Sequence, residues 1–392
     1  MEHADILHRC FRCGYCKLPS DYTNINCPAY LKFRFETYSP GGRMWLLNAW
    51  LHQDIEASPR LAEILFSCAA CGNCVEHCAF PTFKDELLEA FISGRTALIE
   101  AGKTPPPARD VFQSMMLYGN PYKLPEDQRA RWADGLDLKP YSGQDYLFFV
   151  GSAGSFDERG VRMARTAAQL LDRLGVSFGI LGEREVSDGN EIRAMGERGL
   201  FEHLAGQNIQ NFEDLGVGKV LALSPHAFHA FKNDYPALGG RFEVRHYTQV
   251  LSEVLAGAEL PNRPEPLRVT LHDPCYLGRH NGEYQAPRRI LSRLPGVELV
   301  EMDRVRENAL CCGGGGGNFF TDILGQGVDS PARVRVREAA ETGAEVLAVA
   351  CPKCAKMLDD AVKAENLEHR LRVLDLAEIV TEALEGSFSQ GH

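Results

Sequence analysis

The rhythm of apolar and polar positions changes near residue 145. Before it, apolar residues recur at helical spacing in short stretches: Arg43–Leu51, Arg60–Phe66 and Lys84–Phe91. Pro105, Pro106 and Pro107 interrupt the pattern, and the polar stretch Pro125–Ser142 reads as a linker. From Asp145 onward strands alternate with helices. Tyr146–Val150 is a short apolar run ending at Gly151, as buried parallel strands are. Ser155 and Glu158 have capping-box spacing, and a helix follows with Val161, Ala164, Ala168, Leu171 and Leu174 on its apolar face. Gly175 closes it, and Val176–Ile180 returns as a strand. Strand, crossover helix and strand predict an α/β unit with a parallel sheet.

This pattern occurs twice. Val220–Ala227 (VLALSPHA) matches Leu347–Cys354 (LAVACPKC), and Val244–Leu251 matches Val373–Val380. The expected architecture is a helical unit over 1–141, then two tandem α/β units over 145–257 and 265–388.

With 392 residues, 44% of them hydrophobic, the chain can bury cores of that number. No apolar run approaches bilayer length, and the N-terminus (MEHADILHRC) lacks a basic-then-apolar leader. A cytoplasmic location is expected, with membrane contact only through a partner. The formal charge of −11, without a Lys/Arg block, argues against nucleic acid as a ligand.

The 13 cysteines change the picture most. An odd number in a reducing compartment does not make a disulfide framework. Cys68, Cys71, Cys74 and Cys78 have the spacing C-x2-C-x2-C-x3-C, in which three thiolates hold one corner of a cubane and the fourth reaches a second cluster. The proline expected directly after the fourth cysteine is displaced to Pro81. Cys10, Cys13 and Cys16 repeat the triple, and Cys27-Pro28 supplies a late fourth ligand. The ligand sets are therefore expected to cross: Cys10, Cys13, Cys16 and Cys78 for one [4Fe–4S] cluster; Cys68, Cys71, Cys74 and Cys27 for the other. Structural zinc is the competing reading of paired C-x2-C motifs.

The last five cysteines are Cys275, the adjacent pair Cys311-Cys312, and Cys351 with Cys354. Adjacent cysteines chelate one tetrahedral ion poorly but can reach two irons of a cluster. Gly313–Gly317 follow the pair, and such residues let backbone N–H groups approach a bulky anion. Cys275 and Cys351 each follow a predicted strand, where open α/β sheets place ligands. Buried free thiols, or zinc held by Cys351 and Cys354, are the plainer alternatives.

On these residues the chain resembles a known family. His272-Asp-Pro-Cys275, Cys311-Cys-Gly313 and Cys351-Pro-Lys-Cys354 are similar to the cysteine-rich CCG domain of heterodisulfide reductases, and the whole chain resembles their D-type subunits. Ser39-Pro-Gly-Gly-Arg43 and Tyr118-Gly-Asn-Pro121 share in that likeness. The resemblance implies two cubane clusters and, on the five C-terminal cysteines, a non-cubane [4Fe–4S] cluster. In the first α/β unit the matching positions are Ser152, Ser187, Asp188, Ser224 and Ala227, none of them a thiol. That unit is expected to hold no cluster and to act as scaffold or docking surface, so cleavage of a disulfide between two such clusters is not expected.

Other signals carry less. Gly151-Ser-Ala-Gly154 is not a full dinucleotide loop, and the glycine run lacks the lysine and hydroxyl of a phosphate loop. His226 and His229 read as core or surface histidines. His272 can tune the neighbouring cluster by hydrogen bonding or simply pack, and Gly278, Arg279 and His280 give a weak hint of an anion site. The function expected is an electron-transfer subunit of an oxidoreductase complex, passing single electrons through two cubane clusters to or from the non-cubane cluster and exchanging them with a flavoprotein, a membrane cytochrome or a second iron–sulfur subunit. Its alternatives are a disulfide or persulfide reductase working at the candidate redox site of the last five cysteines, the iron–sulfur subunit of a 2-hydroxy-acid (glycolate or lactate) oxidase, and a zinc-stapled interaction module.

Overall fold

A computed structural model describes residues 1–18, 24–261 and 266–385. Residues 265 and 386–388 of the expected third unit lie outside the described residues. The N-terminal part is helical. Its helices begin where the sequence supplies caps: Ser39 accepts the Gly42 amide at 3.0 Å ahead of helix Pro40–Leu51, and Ser58 accepts the Leu61 amide at 3.2 Å ahead of Pro59–Phe66. Helices Leu87–Glu100 and Pro106–Tyr118 follow, the second entered through the proline run.

Two four-stranded parallel sheets make up the rest. β1 (Tyr146–Phe149), β2 (Phe178–Gly179), β3 (Lys219–Ala222) and β4 (Glu243–His246) lie in the order β2-β1-β3-β4. β5 (Leu267–Leu271), β6 (Val297–Leu299), β7 (Val346–Val349) and β8 (Arg372–Asp375) repeat it as β6-β5-β7-β8. The register repeats as well: Ala222 pairs with His246 and Val349 with Asp375 at the ends of the equivalent strands. The central strands β1, β3, β5 and β7 are buried over most of their length, as all-parallel sheets require.

Two local expectations need correction. The helix after β1 is capped by Asp157, whose carboxylate accepts the Arg159 and Gly160 amides at 3.0 Å each. Ser155 instead lies in a short preceding helix, Gly151–Phe156, so the Ser155–Glu158 spacing was coincidental. The stretch 125–142 is more than a linker. It contains a 3₁₀ helix, Glu126–Ala133, that buries Trp132 and Arg129, with Trp132 edge-on to Phe148 of β1.

The two sheet units are tied together by Arg159, which reaches Glu378 at 2.6 Å and Asp359 at 2.9 Å, and by the Tyr247 hydroxyl, which donates to Asp375 at 2.6 Å. Among the described residues, no helix is long and apolar enough to cross a membrane.

Candidate functional site

The cysteines gather in three places. Cys10, Cys13, Cys16 and Cys78 line one cavity with Pro40, Gly41 and Phe80, while Cys27, Cys68, Cys71 and Cys74 line a second with Arg43 and Asn73. Each triple is thus joined by the distant fourth cysteine of the other motif. Hydrogen bonds from outside fix the loops: Trp45 donates to the Cys10 carbonyl at 2.9 Å and Asn73 to the Cys16 carbonyl at 2.8 Å. A Cβ on Gly41 would stand 3.5 Å from the Cys10 sulfur, so the helix start closes that cavity without a side chain.

The chemistry of these donors suits a cationic cluster core. Burial and neighbouring thiolates push Cys16 and Cys74 well up, and burial moves Cys27 to about 11. Crowded, partly or fully buried thiols cannot all ionise by themselves. Iron at their centre would supply the missing positive charge.

The third group is the five-cysteine site at the C-terminal end of the second sheet. Cys275 follows β5 and Cys351 follows β7, while Cys311 and Cys312 come from the loop after β6. All five are buried. The Cys275 and Cys311 sulfurs lie 3.8 Å apart, the Cys312 and Cys354 sulfurs 3.5 Å, and the Gly313 amide points at the Cys311 sulfur at 3.3 Å. His272 lies with Cys312 and Cys354, their ligand atoms within 4.8 Å of one another. Buried Arg335 donates to His272 Nδ1 at 3.4 Å. An arginine can only donate, so Nδ1 accepts and the ring proton sits on Nε2, the side left for sulfur. The neighbouring Cys311 and Cys354 thiols, with His272 beside them, hold Cys312 well below the ordinary thiol range.

The second cavity and the five-cysteine site adjoin. The Cys71 and Cys311 thiols face each other across this junction, and Cys311 helps push Cys71 up. Arg279 is wedged at this junction: it donates to the Cys71 carbonyl at 2.8 Å and the Ala309 carbonyl at 2.6 Å, and its charge interacts with Cys71, Cys275 and Cys311. Its remaining Nη2 is buried with no partner among the described residues. His280 accompanies it, with Nε2 3.0 Å from the Ala70 carbonyl. The hint at 278–280 therefore becomes a contact with the segment 68–71.

The glycine run also has a second purpose. A Cβ on Gly315 would come within 2.4 Å of the Ala69 carbonyl, and one on Gly316 within 2.4 Å of the Cys68 carbonyl. These glycines let the two cysteine loops touch backbone to backbone.

His226, read from the sequence as core or surface, does more than pack. Its Nδ1 is 3.8 Å from the Cys351 sulfur and Nε2 is 3.6 Å from Glu191, with its ring against Tyr276. Nothing near it in sequence announces this, because Cys351 lies in the other α/β unit. His229 contacts Asn233, Tyr276 and His280, without a thiol partner among the described residues. In the first sheet Ser152, Ser187, Asp188 and Ser224 line one cavity, and Ala227 is buried.

Comparisons with known proteins match these regions. Residues 6–80 fit the model of a 4Fe-4S dicluster domain and residues 269–359 that of a cysteine-rich domain. The probable iron-sulfur-binding oxidoreductase FadF of Bacillus subtilis is 36% identical over 83% of this chain and 47% of its own length. The EtfAB:quinone oxidoreductase of Syntrophomonas wolfei is 34% identical over 83% and 47%. The chain thus spans about half the length of these two relatives. Among solved structures, a hypothetical protein from Helicobacter pylori shares the fold, with a TM-score of 0.56 at 11% identity over 98% of this chain and 73% of that one. The D subunit of the dihydromethanophenazine:CoB–CoM heterodisulfide reductase of Methanosarcina barkeri is 32% identical over 96% of this chain and 94% of its own. A likeness that runs nearly end to end on both sides decides the matter: the chain belongs to the family of heterodisulfide reductase D subunits, which are iron–sulfur proteins.

Proposed function

We propose that the chain is the electron-transfer subunit of a redox complex, carrying single electrons through two cubane [4Fe–4S] clusters to or from a non-cubane [4Fe–4S] cluster. In this reading Cys10, Cys13, Cys16 and Cys78 hold the first cluster and Cys27, Cys68, Cys71 and Cys74 the second. Cys275, Cys311, Cys312, Cys351 and Cys354 hold the third. Bound there, iron–sulfur clusters supply one-electron exchange between ferrous and ferric states.

The observation that carries the reading is the serial order of the three donor sets. Cys13 is exposed, with Phe11 75% exposed beside it, so the first set opens to a partner. The second set is largely buried, and its loop 68–71 packs against the glycine run of the third and is bridged to it by Arg279. A partner docking at Cys13 would be a flavoprotein, a membrane cytochrome or a second iron–sulfur subunit. A stopped-flow measurement under anaerobic conditions tests this: Phe11→Glu should slow reduction of all three centres by a reduced protein donor, while a small diffusible reductant still reduces them at the unaltered rate. Reduction of the second and third centres by the protein donor at an unaltered rate in that variant would count against the order.

Arg279 gives a second test. A positive charge beside two clusters favours their reduced, more negative states. At roughly 7 Å and an effective dielectric of about 20, that is about 2 kcal/mol, or on the order of 100 mV for one electron. Arg279→Gln should therefore lower the midpoint potentials of the second and third centres by roughly 100 mV and leave the first nearly unmoved. Arg279→Lys should restore part of the shift. Potentiometric titration followed by electron paramagnetic resonance reads both.

A second reading, reduction of a disulfide or persulfide at the five-cysteine site, is favoured by the near full-length likeness to a component of a heterodisulfide reductase. It predicts turnover of small disulfides with a reduced viologen, abolished in Cys312→Ser. Silence with every disulfide tried would leave the relay alone.

A further inference from the structure

Where the second sheet carries cysteines, the first carries oxygens. Ser152 follows β1, Ser187 and Asp188 stand at the place of the adjacent pair, and Ser224 follows β3. These four line one cavity together with Glu191 and Lys353. The chamber leans on the five-cysteine site, since Lys353 sits between Cys351 and Cys354. Glu191 pairs with the Lys353 ammonium and accepts the Gly317 amide at 2.9 Å. That pairing neutralises Lys353.

Asp188 forms no ion pair among the described residues, and the Lys353 ammonium across the chamber offsets its charge only from a distance. One of its oxygens accepts the Asn190 amide at 2.9 Å, and the other lies over Gly151, 3.5 Å from where a Cβ would be. One unmet oxygen faces the same chamber. Ser152 is 8% exposed and lines the chamber, and its hydroxyl has no hydrogen-bond partner among the described residues. Buried polar atoms in a native protein find partners, so an orphaned buried hydroxyl beside a carboxylate marks a missing occupant. Burial also pushes Asp188 up against the pull of Lys353, and moves nearby Glu185 to about 7 against that of Arg129.

We propose that this chamber binds one hard, oxygen-seeking cation through Ser152, Ser187, Asp188 and Ser224. Hydroxyl and carboxylate oxygens suit magnesium, calcium or manganese and offer little to soft metals. An anion would face Asp188 directly. One carboxylate among neutral donors predicts weak binding, with a Kd of roughly 10⁻⁴ to 10⁻³ M. Cation binding here does not depend on the direction or partner of electron transfer.

The test is anaerobic titration of Mn²⁺ into the full-length, iron-loaded chain, reading free Mn²⁺ by electron paramagnetic resonance. One Mn²⁺ per chain should bind in that range and be displaced by Mg²⁺ or Ca²⁺. Binding should weaken by at least about tenfold in Asp188→Asn and also in Ser152→Ala, each with its iron content retained. Bound Mn²⁺ should also speed the spin relaxation of the neighbouring cluster. No saturable Mn²⁺ binding would overturn the proposal. So would an affinity unchanged in Asp188→Asn; if that variant fails to fold, an unchanged affinity in Ser152→Ala decides the same way.

Discussion

Replacing Cys74 by alanine should cut electron flow between the exposed face at Cys13 and the five-cysteine site to background, while leaving both ends able to hold iron. Cys74 is buried in the middle cavity with Cys27, Cys68 and Cys71, and it serves neither end. Iron should fall from about twelve to about eight per chain, counting four per cluster. Chemical reduction of the five-cysteine site by a small diffusible reductant should persist, because that route bypasses the middle. The contrast between protein donor and small donor is the measurement. Equal rates from both in the variant would mean that electrons do not pass through the middle set.

The second large effect is on stability. Arg95 is buried in the helix Leu87–Glu100 and joins all three parts of the fold. Its guanidinium donates to the carbonyls of Leu65 (2.8 Å) and Cys68 in the helical region, Ala194 in the first α/β unit and Gly316 (3.4 Å) in the second. Methionine fills similar volume but donates nothing, so buried carbonyls on three segments lose their partner. A hydrogen bond to a charged group contributes about 1.5–3 kcal/mol, and orphaning its acceptor adds desolvation. Arg95→Met should therefore destabilise the chain by about 3–5 kcal/mol. The chain is too large and too metal-dependent for a single unfolding step, so the readout is the denaturant midpoint of iron release under anaerobic conditions. An unchanged midpoint would show that the three parts are held by other contacts.

Features repeated along the chain could be read directly from it. The alternation of strand and helix, and its recurrence from Val220 to Leu347, pointed to two parallel sheets, and the structure shows them with equal strand order. Cysteine spacing foretold which thiols share a cavity, including the exchange of Cys27 and Cys78 between motifs. Contacts between distant parts left no such trace. Arg279, His280 and His226 lie in loops or short turns, and their partners Cys71, Ala70 and Cys351 are more than a hundred residues away. The glycines at 315 and 316 looked like a cluster cradle because their neighbours in sequence are cysteines. Their crowding comes from Ala69 and Cys68, which only the folded chain brings near. The stretch 125–142 hid its buried side, since one tryptophan and one arginine among polar residues make no periodic pattern.

The vestigial positions of the first α/β unit show the same division. Sequence alone marks Ser152, Ser187, Asp188 and Ser224 as places where thiols are gone. Only the fold shows that they still face one chamber, against the lysine of the working motif.

Three adjoining sets of sulfur ligands underlie everything proposed for this chain. Their most direct test is iron and acid-labile sulfide analysis of anaerobically purified protein, with electron paramagnetic resonance of the reduced state. About twelve irons and twelve sulfides per chain, with spectra broadened by interaction between neighbouring centres, are predicted. Stoichiometric zinc in colourless protein, or about eight irons with no signal from the five-cysteine site, would contradict it.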